Sequence, residues 1–362
     1  MNRPLASLLS SLAFVFFGVA CSTSNVPVTM SPAPAHPANT GLSLTQNKQT
    51  ASSGNSASTS AAASTIYFEK LHGDQITGYA FLSARASTTH PFGFDLLTGE
   101  IPFVGSAVFA PTVKGLLYPF AFTQIETFDT TPVNISASQP LSLAASTDGN
   151  WIAWVQRDGS AYLYSSQSGG SQNLNLENSK AISVRISSTA GEVLVATSAG
   201  ETVLFNLDAH PTPQNRLQGI EASVSPSGDK IAIVSPSGLS VYDRSNHLIK
   251  SFEKSAMAYE PSWENETALA YWVRTDSGAE LRSIDLQVGS PVKVADLHLS
   301  ATTGTGIVCP HWHGSDLYFA DQENGNFVIE RSHAGNIADF AVPDTEGTGF
   351  VCPNIGPDGG TS

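Results

Sequence analysis

From residue 65 onward, apolar residues come in short runs. KIAIVS (230–235), LSVYD (239–243) and LIKSFE (248–253) are examples, set apart by Gly, Asn, Asp, Ser and Pro. Such runs, punctuated about every 8–12 residues, predict β-strands joined by tight turns. No stretch holds an apolar period of 3.6, so no helix is expected and the region reads as all-β.

A longer period lies on top of the strand period. ASVSPSGDKIAIVSPSGLSVYDRSNHLIKSFE (222–253) is the clearest unit and parses as four strands of an antiparallel meander. Related units align at Phe109, Ala145, Ile186, Val224, Trp263, Trp312 and Ile355, with gaps of 36 to 49 residues and a mean of 41. Four strands in a unit of that length predict a β-propeller blade. The last unit, EGTGFVCPNIGPDGGTS (346–362), has one strand only. STIYFEK (64–70), TGYAFLSA (77–84) and PFGFDLL (91–97) supply a second, third and fourth. The expectation is a seven-bladed propeller of four-stranded blades, closed by one blade shared between the two ends, with six or eight blades if 106–136 divides differently. An open ring would leave unpaired strand edges at both ends.

SVSPSGDKIAIV, EPSWENETALAYW and CPHWHGSDLYFAD resemble the TolB-like propeller repeat, whose core reads P-x-W-S-P-D-G-x-x-I-A-F. The resemblance covers most of 138–362 and thins over 65–137. It implies the fold and little about function. TolB itself has an additional α/β domain ahead of its propeller, so this chain is expected to be a different protein with the same WD-repeat-like architecture. FDLLTGE (94–100) is similar to the D-x-x-T-G turn of quinoprotein-type propellers.

Ahead of the repeats, MNRPLASLLSSLAFVFFGVAC (1–21) has a basic residue, a short apolar run and small residues before Cys21. This is the pattern of an export signal, and Ala20-Cys21 resembles a bacterial lipoprotein processing site, with Gly18 where the family carries Leu. The resemblance implies cleavage after residue 20 and lipidation of Cys21. Ser22 next to it implies sorting to the outer membrane, facing the periplasm or the cell surface. Residues 22–64 are Ser, Thr, Ala, Pro, Asn and Gln with almost no large apolar side chain. Such a segment cannot bury enough surface to offset its ordering entropy, and reads as a tether. The domain expectation is therefore a signal at 1–20, a lipidated tether at 21–64 and a propeller at 65–362.

The formal net charge of −14 argues against nucleic acid and anionic lipid as partners. An envelope protein or a cationic ligand is expected instead, with membrane contact through the lipid anchor alone. There is no G-x-S-x-G, H-E-x-x-H, phosphate loop or EF-hand loop, so no cofactor and no catalytic residue is assigned. Glu260, His311 and Asn354 occupy comparable repeat positions where inner strands begin, and are the candidate binding residues at the channel mouth. Cys309, His311 and His313 alternate on one short strand. Their residue types suit Zn²⁺, but three ligands on a straight strand span roughly 7 Å, too far to share one ion easily. With Cys21 lipidated, Cys309 and Cys352 remain as a pair at the same position in consecutive repeats, and a disulfide between them is expected. The functional expectation is an envelope-anchored binding or scaffolding module. The rival is a hydrolase or lyase with its site at the channel mouth.

Overall fold

A computed structural model describes residues 65–355, apart from 74, 86–87, 96–100, 103–107, 114, 121–123, 129–134, 137–139, 254–256, 277, 300–306 and 344–347. Cys21, the tether and most of FDLLTGE lie outside these residues.

The described residues are strands and turns. The chain opens with β1 (Thr65–His72), β2 (Gln75–Ser83), β3 (Phe92–Asp95) and the short β4 (Ile101–Pro102). Then follow β5 (Ala110–Thr112), β6 (Gly115–Phe120), β7 (Gln124–Phe128) and β8 (Ile135–Ser136) in one sheet. The next contains β9 (Pro140–Ala145), β10 (Trp151–Gln156), β11 (Ala161–Ser165) and β12 (Gly170–Asn173). Another is β13 (Ala181–Ser187), β14 (Glu192–Thr197), β15 (Glu201–Asn206) and β16 (Pro213–Gln218). It is followed by β17 (Glu221–Val224), β18 (Lys230–Ser235), β19 (Gly238–Asp243) and β20 (Leu248–Phe252). The last two meanders are β21 (Met257–Trp263), β22 (Ala268–Thr275), β23 (Gly278–Asp285) and β24 (Val292–Leu297), and β25 (His311–His313), β26 (Asp316–Glu323), β27 (Asn326–His333) and β28 (Asn336–Ala341). The closing strand is β29 (Thr348–Ile355).

β29 does not begin a sheet of its own. It pairs antiparallel with β1, setting Lys70 opposite Phe350 and Glu69 opposite Val351, in the order β29-β1-β2-β3. One sheet thus holds both ends of the repeat array. β4 adds to it by pairing Ile76 with Ile101. Four-stranded antiparallel sheets recur as expected: among the described residues six sheets have four strands, and the sheet that joins the two ends has the four-strand order β29-β1-β2-β3 with β4 as an extra strand on β2. β4 can attach because β3 spans only the Gly78–Phe81 side of β2, which leaves Gln75 and Ile76 unpaired on that edge.

The burial pattern explains the strand composition. Second strands such as IAIV in β18 and LAYWV in β22 are buried at every position, because each is flanked by a sheet on both faces. That is why they read as apolar runs and not as clean alternation. Outer strands such as β12 and β16 are largely exposed. Their pairing is broken by register shifts in β16, β20, β24 and β28, which protects an open edge from pairing with another chain.

The core lies between sheets. Ala153, Val155 and Leu163 pack on Val193, Val195 and Phe205. Leu194 and Leu204 pack on Ile231 and Ile233, Val234 and Val241 on Leu269 and Tyr271, and Trp272 and Leu281 on Leu317 and Phe319. Tyr318 and Ile329 then meet Phe350 and Phe68, and the same cluster carries on through Tyr79 to Phe109. Ala110 and Leu117 return to Ile152 and Trp154. Each sheet therefore packs on the next around a closed circuit, which defines a WD-repeat-like β-propeller. Entry to an inner strand is tight. At Gly219 (φ 138°) a Cβ would fall 2.3 Å from the Val234 carbonyl oxygen, so only glycine fits there.

Candidate binding site in the central channel

The innermost strands β5, β9, β13, β17, β21 and β29, with the segment leading into β25, line one cavity of about 640 Å³. Glu260, His311 and Asn354 all lie on its wall, together with Glu221, Arg185 and Trp312. The repeat brings them together because the inner strands of successive sheets face one channel; His311 and Asn354 stand one residue before Trp312 and Ile355, and Glu260 three before Trp263.

A recurrent backbone device shapes the wall. Glu260, Cys309 and Cys352 adopt φ values of 49°, 42° and 52°, and each precedes a proline: Pro261, Pro310 and Pro353. A left-handed conformation is uncommon for such residues. In β21 and β29 it coincides with a register shift, between Tyr259 and Ser262 and opposite Tyr67–Glu69. The extra residue of a bulge has no ladder partner, and proline has no N–H to lose, so the pair fits the bulge and turns the preceding side chain out of the strand's alternation.

Those side chains reach the neighbouring sheet. The Glu260 N–H donates to Oε2 of Glu221. The Cys309 N–H donates to Oε2 of Glu260 at 2.6 Å, and the Trp272 indole N–H donates to the same oxygen at 3.0 Å. Val184 donates to Ser142 Oγ at 3.1 Å in the equivalent place. On the closing sheet, Val108 donates to Oε1 of Glu69 at 2.8 Å. Cys309 and Cys352 are present as thiols whose side chains hydrogen-bond to one another. The expected disulfide is not formed between them in this structure.

Burial dominates the electrostatics. Glu260 is 3 % exposed, and its Oε1 is buried with no hydrogen-bond partner. Its pKa is raised to about 7, first by burial and then by the nearby Glu221, with the Cys309 N–H and Arg185 opposing. Glu221 is also raised, mainly by burial, against the Glu260 N–H and Arg185. His311 is lowered to about 4 by burial, then by Arg185 and His313, so it is neutral near pH 7. Burial pushes Cys309 up to about 11.

Arg185 is the sole Lys or Arg among the lining residues. It is exposed on its strand, and its charge acts on Glu221, Glu260 and His311 alike. The sequence pattern does not single out Arg185 or Glu221. Glu221 was within reach, since it stands at the same offset before Val224 as Glu260 before Trp263. Arg185 stands one residue before Ile186, the offset of His311 before Trp312 and of Asn354 before Ile355.

Cys309, His311 and His313 do not gather their ligand atoms. Among the described residues, the side chains that do are Glu323, Glu330 and Asp339, on a different part of the sheet.

No protein-family model matches the chain, and no curated protein sequence matches it either. The solved structure titled "Crystal Structure of Mitotic Checkpoint Complex" contains a chain similar to it, with a TM-score of 0.55 and 12 % identity, over 72 % of this chain and 85 % of that one. In all, 1473 chains of solved structure match, so the likeness identifies an architecture used for many purposes and shows the fold alone.

Proposed function

We propose that this protein is a binding module of the bacterial envelope that holds a partner protein at the mouth of its channel. The observation that carries the reading is the wall itself. A cavity of about 640 Å³ is lined by inner strands from every sheet, and polar groups converge on it from separate sheets. A propeller presents such a wall on a rigid closed frame, which suits recognition of a partner without reorganisation. The buried, unpartnered Oε1 of Glu260 and its neighbour Glu221 favour a cationic group, such as a Lys or Arg side chain of the partner. Anchoring through lipid on Cys21 and the tether at 22–64 places the module in the outer membrane, facing the periplasm or the surface. TolB-like ancestry belongs to the same proposal, on the strength of the repeat motifs. Nucleic acid is not a partner in this reading, given the formal charge of −14.

One observation favours the rival reading, a hydrolase or lyase. Two carboxylates and a histidine share the cavity, and Glu260 titrates at about 7, where a general base is useful. Against it, the hydrogen-bonded oxygen of Glu260 is occupied by two donors from the frame. His311 is neutral near pH 7, so it offers no proton to a leaving group.

The test is crosslinking and pulldown of the native protein from envelopes, with Glu221→Arg and Asn354→Arg variants alongside. One partner held by wild type and lost from both folded variants supports the module. No partner from wild type, or undiminished capture by both variants, removes the channel mouth as its site. Cys21→Ser should move the protein to the soluble fraction or block its processing. A variant that stays membrane-bound and is processed like wild type ends the lipoprotein reading.

A further inference from the structure

Away from the channel, on the sheet of β25 to β28, three carboxylates come together. One oxygen from each of Glu323, Glu330 and Asp339 lies within 4.8 Å of the other two. The strand register produces the group. Glu330 on β27 stands directly opposite Asp339 on β28 and opposite Phe319 on β26. Asp321 and Glu323 follow Phe319 at steps of two, so all four acidic residues share one face.

Like charges directly opposite each other across strands are destabilising. Among the described residues no side-chain hydrogen bond or ion pair reaches the carboxylates of Glu323, Glu330 or Asp339, and the charge of His298 opposes theirs only from beside Asp321. Glu330 is only 7 % exposed, so water cannot fully solvate it. The adjacent Asp321 is satisfied differently. Its Oδ1 accepts from the His298 N–H at 2.7 Å, and its Oδ2 contacts His298 Nδ1 at 2.7 Å. Asp321 is therefore closed off by His298, and the three remaining carboxylates are left with oxygens toward one point.

We infer that Glu323, Glu330 and Asp339 form a binding site for a hard divalent cation of the calcium class. The donors are all carboxylate oxygens, which suit Ca²⁺, Mg²⁺ or Mn²⁺ and not Zn²⁺ or copper. Calcium is favoured among these. Asp339 is exposed and Glu323 half-buried, so the open side of the site completes its shell with water, and calcium tolerates such irregular, mixed shells where magnesium demands a near-ideal octahedron. Burial, then Asp321, Glu323 and Asp339, raise the Glu330 pKa to about 7, with His298 the opposing group.

The experiment is calcium binding by the chelator-treated full protein at pH 7.5, read by equilibrium dialysis and by melting temperature, for wild type, Glu330→Gln and Asp339→Asn. A three-carboxylate site open to water is expected to bind with a Kd of about 10⁻⁴–10⁻³ M, and 10 mM calcium to raise the wild-type melting temperature by about 2–5 °C. Each variant should weaken binding at least tenfold and lose the shift. Asp339 is exposed, so Asp339→Asn keeps the test valid if Glu330→Gln folds poorly. Absence of both binding and shift in wild type overturns the site, as does an equal response from all three proteins.

Discussion

The backbone N–H of Cys309 donates to Oε2 of Glu260 across 2.6 Å, from one sheet to its neighbour. The Trp272 indole shares that oxygen. Glu260 therefore ties β22 and the segment leading into β25 to a bulge in β21. Glu260→Ala would leave two buried N–H donors without an acceptor, each costing about 1–3 kcal/mol. Denaturant unfolding should show a loss of about 2–5 kcal/mol. Glu260→Gln, which keeps an acceptor oxygen, should lose clearly less. Equal losses from the two would mean that the carboxylate does not hold the sheets together.

Closure of the ring rests on β29. Phe350 is buried against Phe68, with ring centroids 4.8 Å apart. Phe350→Ala should cost about 3–5 kcal/mol, the usual range for a buried aromatic. A matched truncation in an outer strand, Leu248→Ala, removes a side chain that is 55 % exposed and should stay within about 0.5 kcal/mol. If the two variants unfold at the same denaturant concentration, the shared sheet is not what closes the fold.

The repeat spacing and the truncated last unit were enough to read the propeller and the pairing of its two ends, because a closed ring dictates where a lone strand must go. The repeat also led to the wall on which Glu260, His311 and Asn354 lie, since inner strands of successive sheets face one channel, although Glu260 stands three residues before Trp263 and His311 and Asn354 one before Trp312 and Ile355. Other features depend on atoms that a pattern does not carry. β4 joins through an edge that depends on how short β3 happens to be. The left-handed residues before Pro261, Pro310 and Pro353 follow from bulges, which leave no signature in apolar periodicity. Glu69 looks like an ordinary outward position in YFEK, yet it is fully buried with the Val108 N–H as its partner. The acidic face of Glu323, Glu330 and Asp339 needs the pairing of β27 with β28 before it becomes visible.

The thiols of Cys309 and Cys352 hydrogen-bond to each other. We propose that they join as a disulfide when the protein matures in an oxidising compartment. The two thiols lose two electrons and two protons to the disulfide of a partner oxidoreductase, which is reduced in exchange. The bond closes a 43-residue loop, worth about 4 kcal/mol in the chain-entropy model. Denatured, unreduced protein from that compartment should show no reactive cysteine in the propeller. Two reactive cysteines would end the proposal. Protein made reduced should label slowly while folded at pH 8, because burial holds Cys309 at about 11 and Cys352 well above the ordinary thiol value, and the thiolate is the reactive form.

Glu69 gives the clearest dependence on pH. Burial raises its pKa to about 8 from an ordinary 4.5, with the Val108 N–H opposing. A carboxyl raised on folding binds its proton more tightly in the folded state. Its contribution to stability is therefore fully present below pH 4.5 and is lost as pH rises through about 8. Each unit of difference is worth about 1.4 kcal/mol, so the loss across that window is on the order of a few kcal/mol. Glu260, raised to about 7, works in the same direction. His311, lowered to about 4, works in the opposite one, with stability present above 6.5 and lost as pH falls through 4. The total profile mixes these groups, so the decisive quantity is the difference between wild type and Glu69→Gln. Gln keeps an acceptor for the Val108 N–H but does not titrate. Denaturant unfolding should place the two proteins at a constant separation below pH 4.5, with the variant gaining on wild type from there to pH 8. A separation that stays flat from pH 4 to 9 would mean that Glu69 is not held protonated by its burial.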